Sequence, residues 1–104
     1  MRTIIKLAIV IQLFIAAGVL ACEPVKEGET PAVANAVDAI ARAKAIWMSR
    51  DPKLTAEYIA RFRPYHAVRQ GNEWHVFGQL ISGLSSPEAY VCRSDGNTIV
   101  PQRQ

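Results

Sequence analysis

Apolar and polar residues divide the chain into three stretches. Residues 7–21 contain a single polar side chain. Residues 22–32 contain two Pro, one Gly and three Glu and show no apolar period. Residues 33–104 change from a helical apolar period to a period of two. We therefore predict a signal peptide at 1–21, a flexible tether at 22–32 and one folded domain at 33–104.

An amphipathic helix is predicted over residues 33–49. This stretch is rich in Ala, lacks Gly and Pro, and repeats apolar residues at helical spacing as far as Trp47. Thr30 and Pro31 are typical of a helix start, and Pro52 ends the pattern because the residue before proline avoids the α region. We expect Trp47 to anchor the core.

A second short helix is predicted over residues 53–63, and the pattern then changes to strands. Gly71-Asn72 is typical of a two-residue type II′ turn, which pairs residues whose numbers sum to 143. Four strands are predicted: Pro64–Gln70, Glu73–Leu80, Glu88–Arg93 and Thr98–Val100. The fold class is therefore α+β, with an N-terminal helix packed on a curved antiparallel sheet of about four strands.

The hairpin register gives the second strand two apolar faces. Three apolar residues share the face expected to contact the helix: Trp74, Val76 and Leu80. The other face carries His66, His75 and Phe77. A domain with one long helix covers only one sheet face. We therefore expect either an exposed contact surface around Phe77, or a cover formed by residues 53–63 or by the C-terminal strand.

The leader ends in Val19-Leu20-Ala21-Cys22, which resembles the lipobox of bacterial lipoproteins. Its start is basic, and its apolar run of 15 residues is shorter than the ~20 that span a bilayer. We expect lipid attachment at Cys22 and a place in the bacterial envelope facing the periplasm, with Glu23 favouring the outer membrane. The alternative is an ordinary signal-peptidase cut and a disulfide between Cys22 and Cys92, which would stabilise the domain by about 4 kcal/mol.

Charge and motifs argue against several functional classes. Arg2 and Lys6 belong to the leader, so without it the basic residues fall from 12 to 10 against nine acidic ones, which leaves a net charge of about +1. Such a charge gives no reason to expect a nucleic-acid partner. The sequence contains no phosphate-binding Gly-rich loop and no nucleophile elbow. We therefore expect neither catalysis nor a cofactor.

Two weaker chemical alternatives remain. His66 and His75 with Glu73 could begin a metal site, although a zinc site needs three or four ligands, and we favour exposed polar residues instead. Cys92 with a histidine could form a nucleophile pair, although a buried small apolar residue is the favoured interpretation for Cys92.

A longer pattern runs from Ala43 to Val100. Its parts are Ile46-Trp47, Tyr58, Pro64-Tyr65-x-Ala67, Trp74-x-Val76-x-Gly78-x-Leu80 and Asp95-Gly96. This pattern resembles the NTF2-fold immunity proteins of bacterial toxin systems. The resemblance implies a cystatin/NTF2-like fold, binding of a cognate protein toxin, and no turnover.

Partner-binding residues are expected on two surfaces. Arg61 and Arg63 form a positive patch suited to an acidic partner, and His66, His75 and Phe77 share the second sheet face. We therefore expect an envelope-anchored immunity protein that binds a toxin or another envelope protein, with a homodimer left open.

Two other functions stay open. One is a small structural or assembly lipoprotein of the envelope. The other is an enzyme or small-ligand binder whose site contains His66, His75 and Glu73.

Overall fold

The computed structural model describes residues 22–81 and 83–101. In these residues it contains two helices and four strands: α1 (Ala36–Arg50), α2 (Ala56–Ala60), β1 (His66–Gln70), β2 (Glu73–Phe77), β3 (Glu88–Cys92) and β4 (Thr98–Ile99). The predicted α+β class, a helix with a four-stranded antiparallel sheet, is confirmed. The predicted N-terminal position of the helix is wrong, because residues 22–35 precede α1.

The leader is predicted to be a signal peptide and not a membrane span. The expected signal peptide, residues 1–21, lies outside the described residues. Among the residues that are described, neither helix combines the length and the apolar character needed to cross a bilayer.

Asn35 fixes the start of α1. Its side-chain oxygen accepts a hydrogen bond from the Asp38 backbone N–H at 2.9 Å, which satisfies one of the unpaired donors of the first turn. The helix therefore begins later than the predicted start at Thr30. It ends at Arg50, where the Asp51 N–H still donates to the Trp47 carbonyl at 3.1 Å.

The buried residues of α1 recur every four positions. Ala39 and Ala43 are fully buried and Trp47 is 1% exposed, so one stripe of the helix faces the sheet. The two small alanines allow the helix to lie close to the strands. Trp47 is the predicted core anchor, and its indole N–H donates to the Glu88 carbonyl of β3 at 2.9 Å.

The four strands form an antiparallel sheet in the order β1-β2-β3-β4. The predicted hairpin register is confirmed, since His66 lies opposite Phe77 and Val68 lies opposite His75. Gly71 has a φ of 62°, and no described non-glycine residue has a positive φ. This is the backbone that a type II′ turn requires.

β2 ends three residues earlier than predicted. The Gln79 N–H donates to the Phe62 carbonyl at 2.7 Å, which takes the chain away from the strand ladder. A Cβ on Gly78 would lie 2.7 Å from the Phe62 Cβ, so only glycine permits this approach. Leu80 is 79% exposed as a result, and its predicted place in the core is wrong.

The core lies between α1 and one face of the sheet, which we call the inner face. Five strand residues point there: Ala67, Trp74, Val76, Ala89 and Val91. α2 joins the same core through buried Ile59, and the Tyr65 hydroxyl donates to the Ile59 carbonyl at 2.8 Å. The helical region predicted at 53–63 therefore packs on the inner side, so the alternative in which it covers the other face is wrong.

The opposite face of the sheet is called the outer face. By strand alternation and register it carries His66, Val68, Gln70, Glu73, His75, Phe77, Glu88, Tyr90, Cys92 and Ile99. β4 pairs with β3 at the edge of the sheet, so the C-terminal strand does not cover this face either.

The segment expected to be a flexible tether is fastened to the domain. Cys22 forms a disulfide with Cys92 at the end of β3. At the other end of the segment, the Val33 N–H donates to the Arg93 carbonyl at 3.0 Å, and the Trp74 indole donates to the Val33 carbonyl at 3.1 Å. Residues 22–33 therefore form a loop whose two ends meet the chain at neighbouring positions.

The disulfide corresponds to the second of the two states considered for Cys22. A sulfur atom in a disulfide cannot also form a thioether to a lipid, so the two states exclude each other, and lipid attachment at Cys22 stays a prediction. The alternative of Cys92 as a nucleophile is wrong in the structure for the same reason, because its thiol is consumed.

Candidate functional site

A row of aromatic rings crosses the outer face from β1 to β3. The ring centroids of His66 and Phe77 are 5.9 Å apart, and those of Phe77 and His75 are 5.0 Å apart. His75 stacks on Tyr90 at 4.5 Å with an interplanar angle of 8°. The antiparallel register produces this row, because direct and diagonal neighbours on one face lie within reach of aromatic side chains.

His75 is held in place by a carboxylate of the adjacent strand. Its Nε2 lies 2.9 Å from Glu88 Oε1, and Glu88 is the residue opposite Phe77 in the ladder. The Glu88 side chain is 46% exposed, so solvent weakens the contribution of this pair to stability. Its main effect is to orient the imidazole ring between Phe77 and Tyr90.

The aromatic row borders an open groove of about 930 Å³ beyond the end of β2. Its lining includes the row residues His66, His75 and Phe77, the exposed Leu80 and, on the opposite wall, Ser86. Ser86 is buried, and its hydroxyl accepts from the Gly78 N–H at 3.0 Å and donates to the Pro87 carbonyl at 3.2 Å. The early end of β2 therefore creates both the groove and its exposed leucine.

The outer face of the four strands contains two carboxylates and no lysine or arginine. Glu73 is only 7% exposed, and burial raises the pKa of its carboxyl while nearby His75 lowers it in part. Burial also raises the pKa of the Tyr90 hydroxyl, and the charges of Glu88 and Glu73 add to that effect. The face therefore combines apolar rings with a weakly negative character.

The structure brings together three of the five predicted partner-binding residues. His66, His75 and Phe77 all line the groove. Arg61 instead lies over the Tyr58 ring at 5.9 Å, and Arg63 donates through Nε to the Ala60 carbonyl at 3.2 Å. The two arginines are not among the groove residues.

The weaker metal alternative concerns the same region. Within residues 22–81 and 83–101, no group of three or more His, Cys, Asp and Glu side chains is arranged to hold a metal ion. The carboxylate that contacts His75 is that of Glu88, and not that of Glu73, which the metal alternative named.

Sequence reasoning missed Glu88, Tyr90 and Leu80. The first two depend on the pairing of β2 with β3, and the ten residues 78–87 that join these strands carry no turn signal that sets a register. Alternation within the predicted third strand does place Glu88 and Tyr90 on one face, which is the signal that could have identified them.

Comparisons of the chain with models of protein families, with curated proteins and with solved structures found no match. A function is therefore inferred from the chemistry of the outer face and from the sequence itself.

Proposed function

We propose that this chain is an exported immunity protein of the bacterial envelope, which binds and neutralises a cognate protein toxin and performs no reaction itself. The observation that carries the proposal is the open groove beside the outer face, together with the exposed apolar side chains near it. Phe77 and its neighbouring rings lie beside Leu80, which is 79% exposed, and Val68, which is 47% exposed. Apolar surface of this kind on a small domain is typical of a protein-binding site.

The shape of the site favours a protein over a small metabolite. The groove is open along one side, and its apolar part continues over the sheet through Val68 and Ile99, which is 42% exposed. Small-molecule sites instead enclose most of their ligand. A flat apolar face with an adjoining groove suits a partner that presents a side chain into the groove and packs its surface on the strands.

Export is supported by the disulfide and by the leader. Disulfides persist in oxidising compartments such as the periplasm, and the Cys22–Cys92 bond is present in the structure. We propose the periplasm as the site of action. Intact mass measures the state of Cys22 directly: a loss of two hydrogens indicates the disulfide, and a gain of several hundred daltons indicates a lipid.

We also propose that the fold is a small member of the cystatin/NTF2-like type. The support is a helix laid along one face of an antiparallel meander, with no helix packed on the other face in the described part of the chain. In such an arrangement the helix supplies stability and the open face is free to bind a partner.

A survival assay tests the function. The product of the neighbouring gene is exported to the periplasm of a test host, with and without this chain, and survivors are counted. The proposal predicts killing that this chain relieves, together with a stable complex when the two purified proteins are mixed. Absence of killing, or killing that this chain leaves unchanged, would contradict the immunity function and favour a structural or assembly role in the envelope.

A further inference from the structure

Glu73 is a mostly buried residue whose side chain ends in a carboxylate. It lies at the start of β2 on the outer face and is only 7% exposed. Among residues 22–81 and 83–101, no group donates a hydrogen bond to its carboxylate. The titratable groups that face it are His75 on its own strand and Tyr90 on β3. An opposite charge beside a carboxylate favours its charged form, so a cation placed here would form an ion pair with Glu73.

The disulfide brings the main chain of Cys22 to the same place. Glu73 and Cys92 are direct partners in the β2–β3 ladder, so their side chains share the outer face with Cα atoms about 5 Å apart. Cys22 is joined to Cys92 with a Cα–Cα distance of 5.4 Å. The Cys22 nitrogen therefore belongs to the residue that is bonded to the cross-strand neighbour of Glu73.

The charge of that nitrogen depends on processing. While Ala21 is attached, the nitrogen is a neutral amide. Hydrolysis of the Ala21–Cys22 bond adds water, leaving a carboxylate on Ala21 and an amine on Cys22. That amine takes up a proton at neutral pH, because an α-amino group has a pKa of about 7.7–8.0.

We propose that Glu73 is the acceptor for the α-ammonium group of Cys22 once the leader has been removed. Cleavage then supplies the cation that this carboxylate lacks in the uncut chain, and it fixes the new N-terminus beside the aromatic row. This inference rests on the proposed export and on a cut directly before Cys22.

The test measures the reactivity of the new N-terminus. The full chain is exported with its own leader, and mass spectrometry establishes that the purified product begins at Cys22 and retains the disulfide. The product is acetylated near neutral pH, and the modification of Cys22 is followed against the exposed side chain of Lys26 in the same molecule. An ion pair that raises the α-amine pKa by one unit makes Cys22 react about tenfold more slowly.

Glu73→Gln is expected to remove this protection and speed acetylation of Cys22 by about tenfold, while the control Glu57→Gln on α2 leaves the rate unchanged. A loosened structure would speed the reaction at every pH. Loss of an ion pair changes the rate only at pH values where the α-amine is charged. In alkaline solution the amine is neutral in both proteins, so the rates of the wild type and Glu73→Gln should converge. Equal rates near neutral pH would overturn the inference.

A product that keeps the leader or carries a lipid on Cys22 would overturn the inference as well. The survival assay needs neither Glu73 nor a free N-terminus, so failure of the proposed immunity function shows itself separately from failure of this ion pair.

Discussion

The two faces of β2 show how one apolar strand can serve two purposes. On the inner face, Val76 is fully buried under α1 and belongs to the core. On the outer face, the Phe77 and His75 rings contact each other and border an open groove. The difference comes from the cover and not from the composition of the strand. Apolar residues on both faces of a strand therefore show that either face could be buried, and the packing of the helix decides which one joins the core.

The largest expected effect is on the inner face. Trp47→Ala removes a fully packed indole and its hydrogen bond to the Glu88 carbonyl, so we expect the free energy of unfolding to fall by about 3–5 kcal/mol. Urea denaturation measures this loss. Met48→Ala is the matched control, because Met48 is the next residue and is 46% exposed. A loss below about 1 kcal/mol for Trp47→Ala would show that α1 does not form the core with the inner face.

Loss of the disulfide is expected to have the second largest effect, and this bond lies on the outer side. Cys22→Ser opens a bond between residues 70 apart and frees the loop that ends at Val33, so we expect a loss of about 2–4 kcal/mol. The same denaturation experiment under non-reducing conditions measures it. Addition of a reductant should bring the wild type to the stability of the variant, and an unchanged wild type would contradict the role given to this bond.

A smaller loss is expected for the outer-face ring. Phe77→Ala removes ring contacts with His66 and His75 but leaves the core intact, so we expect about 1 kcal/mol. Thermal and urea melts measure the loss. A value near the 3 kcal/mol or more typical of a buried phenylalanine would mean that the outer face is a second core, and the contrast between the two faces would not hold.

The last stability effect depends on pH and concerns Tyr65, which packs against the core. Burial raises the pKa of Tyr65 to about 12, and its hydroxyl donates to the Ile59 carbonyl. A raised pKa means that the folded state favours the neutral phenol. The contribution of this phenol to the stability of the fold is therefore complete below its ordinary pKa near 10, and it is lost as the pH rises toward 12.

Tyr65→Phe should therefore cost about 1 kcal/mol at neutral pH and should reduce the loss of stability in alkaline solution. Urea melts at a series of alkaline pH values measure this difference. A parallel decline in both proteins would contradict the raised pKa.

Local sequence signals predicted the parts of the fold that depend on neighbours along the chain. Gly71-Asn72 set the β1–β2 register, and so brought His66 and Phe77 together correctly. The helix was found from its period, although Asn35 caps it instead of Thr30. A two-residue turn fixes one register for the two strands that it joins, whereas any of several polar residues before a helix can serve as its N-cap.

The other parts depend on contacts between distant residues. Leu80 was expected in the core, but the approach of Phe62 to Gly78 turns the chain outward before it. Glu88 reaches His75 only through a register that the long connection does not specify. The state of Cys22 could not be derived from the pattern of the leader alone, because that residue suits both a lipid and a disulfide. The contact between Val33 and Arg93 brings this N-terminal segment beside Cys92, and that contact joins residues far apart in the chain.

The most direct measurement is the affinity for the toxin of two variants that each lose one apolar side chain. Phe77 lies on the outer face, and Val37, which is 74% exposed, lies on α1. Calorimetric titration with the purified product of the neighbouring gene should show binding at least tenfold weaker for Phe77→Ala and unchanged for Val37→Ala. Equal affinities for both variants, or weaker binding for Val37→Ala alone, would contradict the claim that the outer face is the binding surface.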